Sequence, residues 1–339
     1  MRRLMIKFLS VLIVFLLMGA GAVGGFTYMM LKDLQQDPTA AFKFLNERSR
    51  DLLVEVQDDS GNLVEKTYQF NKDVISMVFL GLDSNAKREQ KGMGYRTDTI
   101  IVAAIDLVKK EATMISVPRD TRTMVKRLDS QGNVISQSYN KINAAYAFGP
   151  GRSEYSYRNS LDAISHLFGG VELDYYVGID MDGIIPITDA VGGVTLTMDV
   201  SIPKYGLVKG EEVLLKGKKA HGYVRERHVP GTDGSDISRT QRQQRFVKAF
   251  LAKVKEMGPV DAVPRLYGQL AQYVETNLNL EQMAALALVL KDMDLDTIRT
   301  VSLPGSSQCI NGVSYWIADE AEVRNLIAET FYKEKAIDE

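Results

Sequence analysis

Arginines are concentrated in two neighbouring segments of the chain, residues 225–227 and 236–244. A guanidinium can bind a phosphate or a carboxylate through two parallel hydrogen bonds, so this concentration indicates a site for an anion. In the second segment, Ser238 followed by Gln241 has the form of a capping box. This pattern predicts a helix over residues 239–257.

One stripe of that helix is apolar along most of its length but cationic near the start of the helix. Phe246, Phe250 and Val254 recur every four residues, as is typical of the side of a helix that faces a core. The same stripe extends backwards to Arg242 and Arg239. Buried cations are unfavourable at a helix N-terminus, because the helix dipole there already attracts anions. We therefore expect a bound anion at this end of the helix, and phosphate is the obvious candidate.

Three apolar runs early in the chain predict strands, at residues 74–82, 99–107 and 112–117. The first run is apolar throughout and suits a central strand that is buried on both faces. Lys109-Lys110 separates the other two, which therefore read as a hairpin of antiparallel strands.

Charged residues stand at the ends of these strands. Asp83 follows the first strand, Arg96 and Asp98 precede the second, and Arg119 and Asp120 follow the third. The hairpin brings Asp98 and Arg119 to one edge, and Asp83 joins them if the third strand is parallel to the first. Ligands of α/β proteins bind outside the carboxyl ends of strands, so we place the site at this edge.

These residue types suit the chemistry of phosphate groups. Asp83 and Asp98 offer oxygen ligands for Mg²⁺ or Mn²⁺, which would offset the charge of a leaving phosphate. The sequence shows no nucleophile of a catalytic triad, and His166, His221 and His228 match no zinc spacing. Six arginines are candidates for binding two adjacent phosphates: Arg96, Arg119, Arg225, Arg227, Arg239 and Arg242.

Simpler interpretations exist for each of these residues, since charged groups at strand ends often form surface ion pairs. Asp120 either orients Arg119 or stabilises a neighbouring turn. Asp236 either caps the helix or binds an arginine, and we interpret His228 as structural. The segment Lys141–Asn143 either reaches the site or begins a helix.

The N-terminus indicates export. Arg2, Arg3 and Lys7 precede an uncharged run over residues 8–31. This run is long enough to span a bilayer, for which about 20 residues suffice. Positive charges before a span place the N-terminus in the cytoplasm, so we expect a signal anchor with the rest of the chain outside the cell. Cleavage after Ala20-Gly-Ala22, or a buried soluble helix, is the alternative.

The composition limits the classes of protein to which the chain can belong. The chain has 339 residues with a formal net charge of −2, which does not indicate a protein that binds nucleic acid. The single cysteine, Cys309, excludes an intrachain disulfide. We expect a transmembrane anchor over residues 1–31, a stalk over 32–72 with some helix at 42–56, and one globular domain over 73–339.

Strands alternate with helices along that domain, which predicts a three-layer α-β-α fold with a mixed central sheet. Further strands are predicted at residues 175–179, 194–200 and 297–303. Further helices are predicted at residues 142–147, 156–168, 182–190, 218–226, 260–276, 281–293 and 319–332.

Taken together, these residues resemble the LytR–CpsA–Psr family of bacterial cell-envelope phosphotransferases. The matching blocks lie in order within residues 75–255, while residues 258–339 carry no recognised signature and are interpreted as a C-terminal extension. The blocks are Phe79-Leu-Gly-Leu-Asp83, Arg96-Thr-Asp98, Ser116-Val-Pro-Arg-Asp-Thr121, Lys141-Ile-Asn-Ala-Ala-Tyr146, Asp174-Tyr-Tyr-Val177, Val191-Gly-Gly-Val194, Tyr223-Val-Arg-Glu-Arg-His228 and residues 236–244.

The resemblance implies a membrane-bound, extracytoplasmic enzyme that takes a glycan linked to polyprenyl pyrophosphate. Such an enzyme transfers the glycan phosphate to a hydroxyl of peptidoglycan and releases polyprenyl phosphate. By position, Asp83 and Asp98 would hold Mg²⁺, and Asp98 or Asp120 would act as base. The six arginines would bind the pyrophosphate, with Gln243 beside them.

Two departures from the family pattern concern loops rather than charged groups. The usual pair of glycines is here Gly149-Pro150-Gly151, and Ser238 replaces a glycine before Arg239.

Two other functions fit the same residues. One is a polyprenyl-pyrophosphate hydrolase, in which water replaces the sugar hydroxyl. The other is a non-catalytic envelope protein that binds a lipid-linked glycan. A DNA-binding regulator is disfavoured, because the chain lacks a long basic helix on the cytoplasmic side.

Overall fold

A computed structural model describes residues 34, 36–45, 52–57, 63–83, 95–173, 175–226, 229, 236–257 and 273–335. The apolar run at 8–31 lies outside these ranges, as do Arg227, His228 and most of the helix expected at 260–276. Among the residues that are described, no helix is both long and apolar enough to cross a membrane.

Fifteen strands and seven α-helices follow one another in the described residues. The strands are β1 (Leu52–Gln57), β2 (Leu63–Phe70), β3 (Val74–Asp83), β4 (Arg96–Asp106), β5 (Glu111–Ser116), β6 (Arg122–Leu128), β7 (Val134–Lys141), β8 (Tyr175–Asp180), β9 (Val194–Thr197), β10 (Glu212–Leu215), β11 (Val274–Thr276), β12 (Arg299–Ser302), β13 (Gly305–Ile310), β14 (Val313–Ala318) and β15 (Tyr332–Glu334). The α-helices are α1 (Ala144–Ala147), α2 (Glu154–Leu167), α3 (Ile184–Ala190), α4 (Lys218–Arg225), α5 (Asp236–Met257), α6 (Leu280–Asp292) and α7 (Glu320–Phe331).

Six strands form the central sheet, in the order β11-β8-β3-β4-β5-β12. The β3–β8 and β5–β12 pairs are parallel, whereas β3–β4, β4–β5 and β8–β11 are antiparallel. The expected mixed sheet, with β3 at its centre and a β4–β5 hairpin, is therefore confirmed.

Helices cover both faces of this sheet, because its central strands are apolar on both sides. Val78 and Leu80 pack in one cluster with residues of α2 and α7, such as Leu161 and Ile327. Neighbouring β3 residues pack in a second cluster with α5 and α6 on the opposite face. A third cluster, which includes Phe246, lies under α4, α5 and the β9–β10 hairpin.

The structure differs from the sequence-based prediction for residues 32–72. Residues 38–45 form a 3₁₀ helix, but β1 occupies 52–57, where helix was expected. β1 pairs with β2, and β2 pairs with β15 at the other end of the chain. The rings of Phe70 and Tyr332 meet edge to face at 5.5 Å. These strands thus belong to the folded domain and not to a stalk, because β2 also pairs with the distant strand β15.

Two helix predictions also need correction. Residues 274–276 of the helix expected at 260–276 form β11, which extends the central sheet beside β8. The arginine-bearing helix α5 begins at Asp236, so Ser238 lies inside the helix and is not its cap. No local pattern predicted the β6–β7 and β13–β14 hairpins, which both contact Asp120.

Candidate active site

The candidate site lies at the edge of the sheet where β3 ends and β4 begins. Asp83 is paired in register with Arg96 across these strands, after a bulge at Gly81. Gly81 is required there, since an added Cβ would lie 2.8 Å from the Cβ of Thr99. β5 runs parallel in direction to β3 and ends just before Arg119. The expected gathering of Asp83, Asp98 and Arg119 at one edge is confirmed.

A small pocket opens between this edge and helix α5. Its volume is about 170 Å³. Two carboxylates, two guanidinium groups and an amide contribute to its walls, which makes it polar and able to bind an anion of the size of a phosphate. The lining residues are Asp83, Asp98, Met181, Arg225, Arg239 and Gln243.

Each carboxylate of the pocket holds an arginine in position. Nη1 of Arg119 lies 2.9 Å from Oδ1 of Asp98. Nη2 of Arg225 lies 2.9 Å from Oδ1 of Asp83, and its Nη1 lies 3.8 Å from Asp182. The Arg119–Asp98 and Arg225–Asp83 pairs are partly buried, so the surrounding medium screens them less than it screens surface pairs. They fix the direction of two guanidinium groups at the mouth of the pocket.

The first turns of α5 are buried and cationic, as the sequence stripe indicated. Arg239 is 2% exposed and Arg242 only 1%. Arg239 donates from Nη2 to the carbonyl oxygen of Asp98 at 2.9 Å and lines the pocket. This arginine therefore joins the helix to the sheet edge while it also borders the pocket.

Arg242 contacts the end of α4 and not the pocket. Its Nε donates to the carbonyl oxygen of Tyr223 at 3.1 Å, and its Nη2 donates to that of Glu226. Gln243 donates in the same way to the carbonyl of Val224 at 3.0 Å. The last carbonyls of a helix lack partners within the helix, and cations are favourable there. Arg242 thus caps α4 and positions Arg225, and it does not line the pocket.

Asp120 and Lys141 form a second charged pair beside Arg119. Nζ of Lys141 lies 2.8 Å from Oδ1 of Asp120, and Nε of Arg119 lies 3.8 Å from its Oδ2. Lys141 lies beside Asp120 because it is paired with Arg122 in the β6–β7 hairpin. The sequence left Lys141 open between the site and a helix start, and the structure places it at the site edge.

Other residues expected at the site have different positions. Arg96 is exposed and lies on the strand next to Asp83, outside the pocket lining. Arg227 and the side chain of Asp236 lie outside the described part of the chain. A pair that sequence reasoning missed is Arg152 with Asp180, at 2.6 Å. Asp180 ends β8, one strand along from Asp83, and its position after an apolar strand was the available signal.

His221 touches the guanidinium of Arg225, with Nη1 3.2 Å from Nε2 of the imidazole. An arginine can only donate, so this nitrogen of His221 accepts and is unprotonated. Burial lowers the pKa of His221 below its usual value of 6.5, and the charge of Arg225 lowers it further.

We expect acid to destabilise the protein through His221. Its folded-state pKa is lowered, so the unfolded chain binds the proton first as the pH falls below about 6.5, and the unfolding free energy decreases. The variant His221→Gln should show a flatter dependence of Tm on pH between about pH 7.5 and 5.5. His166→Gln is the matched control. Equal pH dependence in wild type and His221→Gln would contradict the assignment.

Comparisons with known proteins agree with this architecture. The model of the LytR_cpsA_psr family matches residues 42–331. A polyisoprenyl-teichoic acid–peptidoglycan teichoic acid transferase, TagV of Bacillus subtilis, is 28% identical over 256 residues, which cover 73% of this chain and 61% of TagV. The transferase TagU of Bacillus licheniformis is 27% identical over 261 residues, covering 76% of this chain and 78% of TagU.

The fold is also shared with a solved structure. The crystal structure of B. subtilis TagV superposes with a TM-score of 0.60 at 26% identity, over 77% of this chain and 98% of that one. The family match spans the sheet, both helical layers and every described residue of the pocket. The chain therefore belongs to the LytR_cpsA_psr family.

Proposed function

We propose that this protein transfers a glycopolymer from a polyprenyl-pyrophosphate carrier to peptidoglycan during cell-wall biogenesis. The glycopolymer would be a teichoic acid or a capsular polysaccharide. The observation that carries the proposal is the pocket formed by Asp83, Asp98, Arg225 and Arg239, in a chain whose relatives are named as teichoic acid transferases. Membership of the family supports the same reaction class.

The residues of the pocket suit binding of a pyrophosphate. Arg225 and Arg239 border the pocket, and Arg119 is held beside it by Asp98. Gln243 adds an amide to the same wall. Bound in this way, the pyrophosphate would be held with its two phosphates against preoriented cations, which is the main protein contribution to phosphoryl transfer. We propose weaker, peripheral contacts for Arg96 and Arg227.

In the transfer itself, a hydroxyl oxygen of the acceptor sugar attacks the phosphorus that carries the glycan. A new phosphorus–oxygen bond forms, and the bond from that phosphorus to the bridging oxygen of the pyrophosphate breaks. Polyprenyl phosphate leaves with this oxygen. The hydroxyl proton passes to a carboxylate, and Asp98 and Asp120 are the candidates, since both lie beside Arg119.

The donor set also fits a divalent cation that binds together with the pyrophosphate. No group of three or more His, Cys, Asp or Glu side chains suited to a metal occurs in the described residues. Mg²⁺, however, needs only one or two carboxylates when substrate phosphates and water complete its shell. Asp83 and Asp98 would hold Mg²⁺ or Mn²⁺, which would supply positive charge to the leaving phosphate.

We propose a single-pass membrane location for the protein, with a cytoplasmic N-terminus and the catalytic domain outside the cell. The support is the charge pattern of Arg2, Arg3 and Lys7 before the apolar run 8–31. A lipid-linked substrate is itself confined to the membrane, so an anchor would keep the enzyme and its donor on the same surface.

Product analysis tests the proposed function. The full chain would be incubated in lipid nanodiscs with a lipid-linked teichoic acid or capsular donor, with and without peptidoglycan. We expect a phosphodiester-linked product and free polyprenyl phosphate only when peptidoglycan is present. Equal release of polyprenyl phosphate without acceptor would instead identify a hydrolase. Donor binding without any turnover would identify a non-catalytic binding protein.

A metal-removal experiment tests the cation. We expect a chelator to lower the transfer rate by at least about a hundredfold, as for loss of one electrostatic element of an active site. Added Mg²⁺ or Mn²⁺ should restore the rate, and Ca²⁺, which prefers more ligands at longer distances, should restore less of it. Transfer at the normal rate in the chelator-treated enzyme would contradict the metal assignment.

A further inference from the structure

A second, larger cavity lies on the α2 and α7 face of the domain. Its volume is about 550 Å³, within the range of roughly 300–1,000 Å³ found for small-molecule sites. It is bounded by β1, β6, β7, the end of α2, the end of β14 and one side of α7. Of the arginines described at the first pocket, Arg225 and Arg239 do not border it.

The walls of this cavity combine many apolar side chains with an exposed aromatic ring and with planar and charged polar groups. Tyr139 is 50% exposed. The guanidinium of Arg122 lies over its ring at 4.4 Å, and the imidazole of His166 meets its edge at 6.5 Å between centroids. His166 in turn lies 3.3 Å, through Nδ1, from Oγ1 of Thr123. Arg324, which is exposed, faces the same space from α7.

The cavity begins close to Asp120, which lies beside Arg119 at the edge of the candidate active site. Arg122 follows Asp120 by two residues, so their Cα atoms are at most about 7 Å apart. Strand β14 contacts both Asp120 and the cavity. Trp316 donates its backbone N–H to the carbonyl of Asp120 at 3.0 Å. On one side of it, the ring of Tyr315 lies 5.7 Å from Nζ of Lys141. On the other side, Ile317 lines the cavity.

We propose that this cavity binds the peptidoglycan sugar next to the acceptor hydroxyl, an inference that rests on the proposed function. A pyranose presents an apolar face of C–H groups and a rim of hydroxyl and amide groups. The ring of Tyr139 matches the face, because aromatic rings offer a large rigid apolar surface with a polar edge. Arg122, His166 and Arg324 match the rim. The cavity adjoins Asp120, a candidate base, and so lies on the acceptor side of the reaction.

Steady-state kinetics with a soluble peptidoglycan oligosaccharide as acceptor test this assignment. In Tyr139→Ala and Arg324→Gln we expect the acceptor KM to rise about five- to tenfold, a modest effect because each variant loses one contact made by a solvent-exposed side chain. The KM for the lipid-linked donor should be unchanged. Both side chains are exposed, so the variants should fold. Tyr155→Ala is the matched control, since Tyr155 is 46% exposed and lies outside the cavity lining.

Unchanged acceptor KM in both variants, or a rise in donor KM instead, would overturn the assignment. A direct titration separates this failure from failure of the proposed function. The same oligosaccharide is titrated into the full chain and into Tyr139→Ala, with calorimetric detection. Weaker binding by the variant supports the sugar site even if the wild type transfers nothing, whereas equal affinity, or no binding by the wild type, contradicts it.

Discussion

Replacing Asp98 by asparagine is expected to lower the rate of glycopolymer transfer by about a hundred- to a thousandfold, the range seen when one preorganised electrostatic group is removed from an active site. Asp98 lines the pocket, holds Arg119 at 2.9 Å, and is a candidate for both metal ligand and base. The amide keeps the shape but removes the charge on which each of these functions depends. The measurement is the initial rate of release of polyprenyl phosphate at saturating donor.

Asp162→Asn provides the control for this prediction. Asp162 also forms an ion pair, with Lys126 at 2.7 Å, but it lies on the exposed surface. Exposed pairs contribute little, so this variant should transfer at the wild-type rate. An Asp98→Asn enzyme that retains normal circular dichroism and more than about a tenth of the wild-type rate would show that Asp98 is not part of the catalytic machinery.

Replacing either buried arginine of α5 by glutamine is expected to have a different main effect. Arg239→Gln should lower the affinity for the ligand, and Arg242→Gln should lower the stability of the fold. Arg239 lines the pocket, and its loss removes one charge-assisted contact to phosphate, worth about 1.5–3 kcal/mol. The affinity for a short-chain polyprenyl pyrophosphate should therefore fall about ten- to a hundredfold. The stability of the ligand-free protein should fall less than in Arg242→Gln, since the hydrogen bond from Arg239 to the carbonyl of Asp98 is only partly buried.

Arg242→Gln should instead destabilise the fold. Its guanidinium satisfies the carbonyl oxygens of Tyr223 and Glu226 at the end of α4, and an unsatisfied buried acceptor costs about 1–3 kcal/mol. Unfolding by denaturant, combined with calorimetric titration of the pyrophosphate lipid, measures both quantities. Two results together would contradict these assignments. One is a loss of stability with unchanged affinity in Arg239→Gln, and the other is a loss of affinity with unchanged stability in Arg242→Gln.

The sheet edge could be predicted from the sequence because its signals are local. Val74–Asp83 is apolar without interruption, and a hairpin links β4 to β5, so the directions of three strands follow from the chain itself. The periodicity of α5 likewise indicated that Arg239 and Arg242 are buried. Residue types at these positions were then sufficient to indicate phosphate chemistry.

Contacts between distant segments could not be predicted in this way. Arg239 and Arg242 share one helical stripe, and only the packing of α4 against α5 decides that one borders the pocket and the other caps a helix. One of the two partners of β2 is β15, which lies near the C-terminal end of the chain. Lys141 reaches Asp120 through the register of the β6–β7 hairpin, which no local pattern specifies.

The most direct test of the proposed site is a crystal structure of the protein with a short-chain polyprenyl pyrophosphate and Mg²⁺. The expected result has the two phosphates in the pocket between α5 and the ends of β3 and β4, within hydrogen-bond distance of Arg225 and Arg239. The cation should lie between the phosphates and the carboxylates of Asp83 and Asp98. A pyrophosphate bound elsewhere on the domain, with the Arg225–Asp83 and Arg119–Asp98 pairs undisturbed, would contradict it.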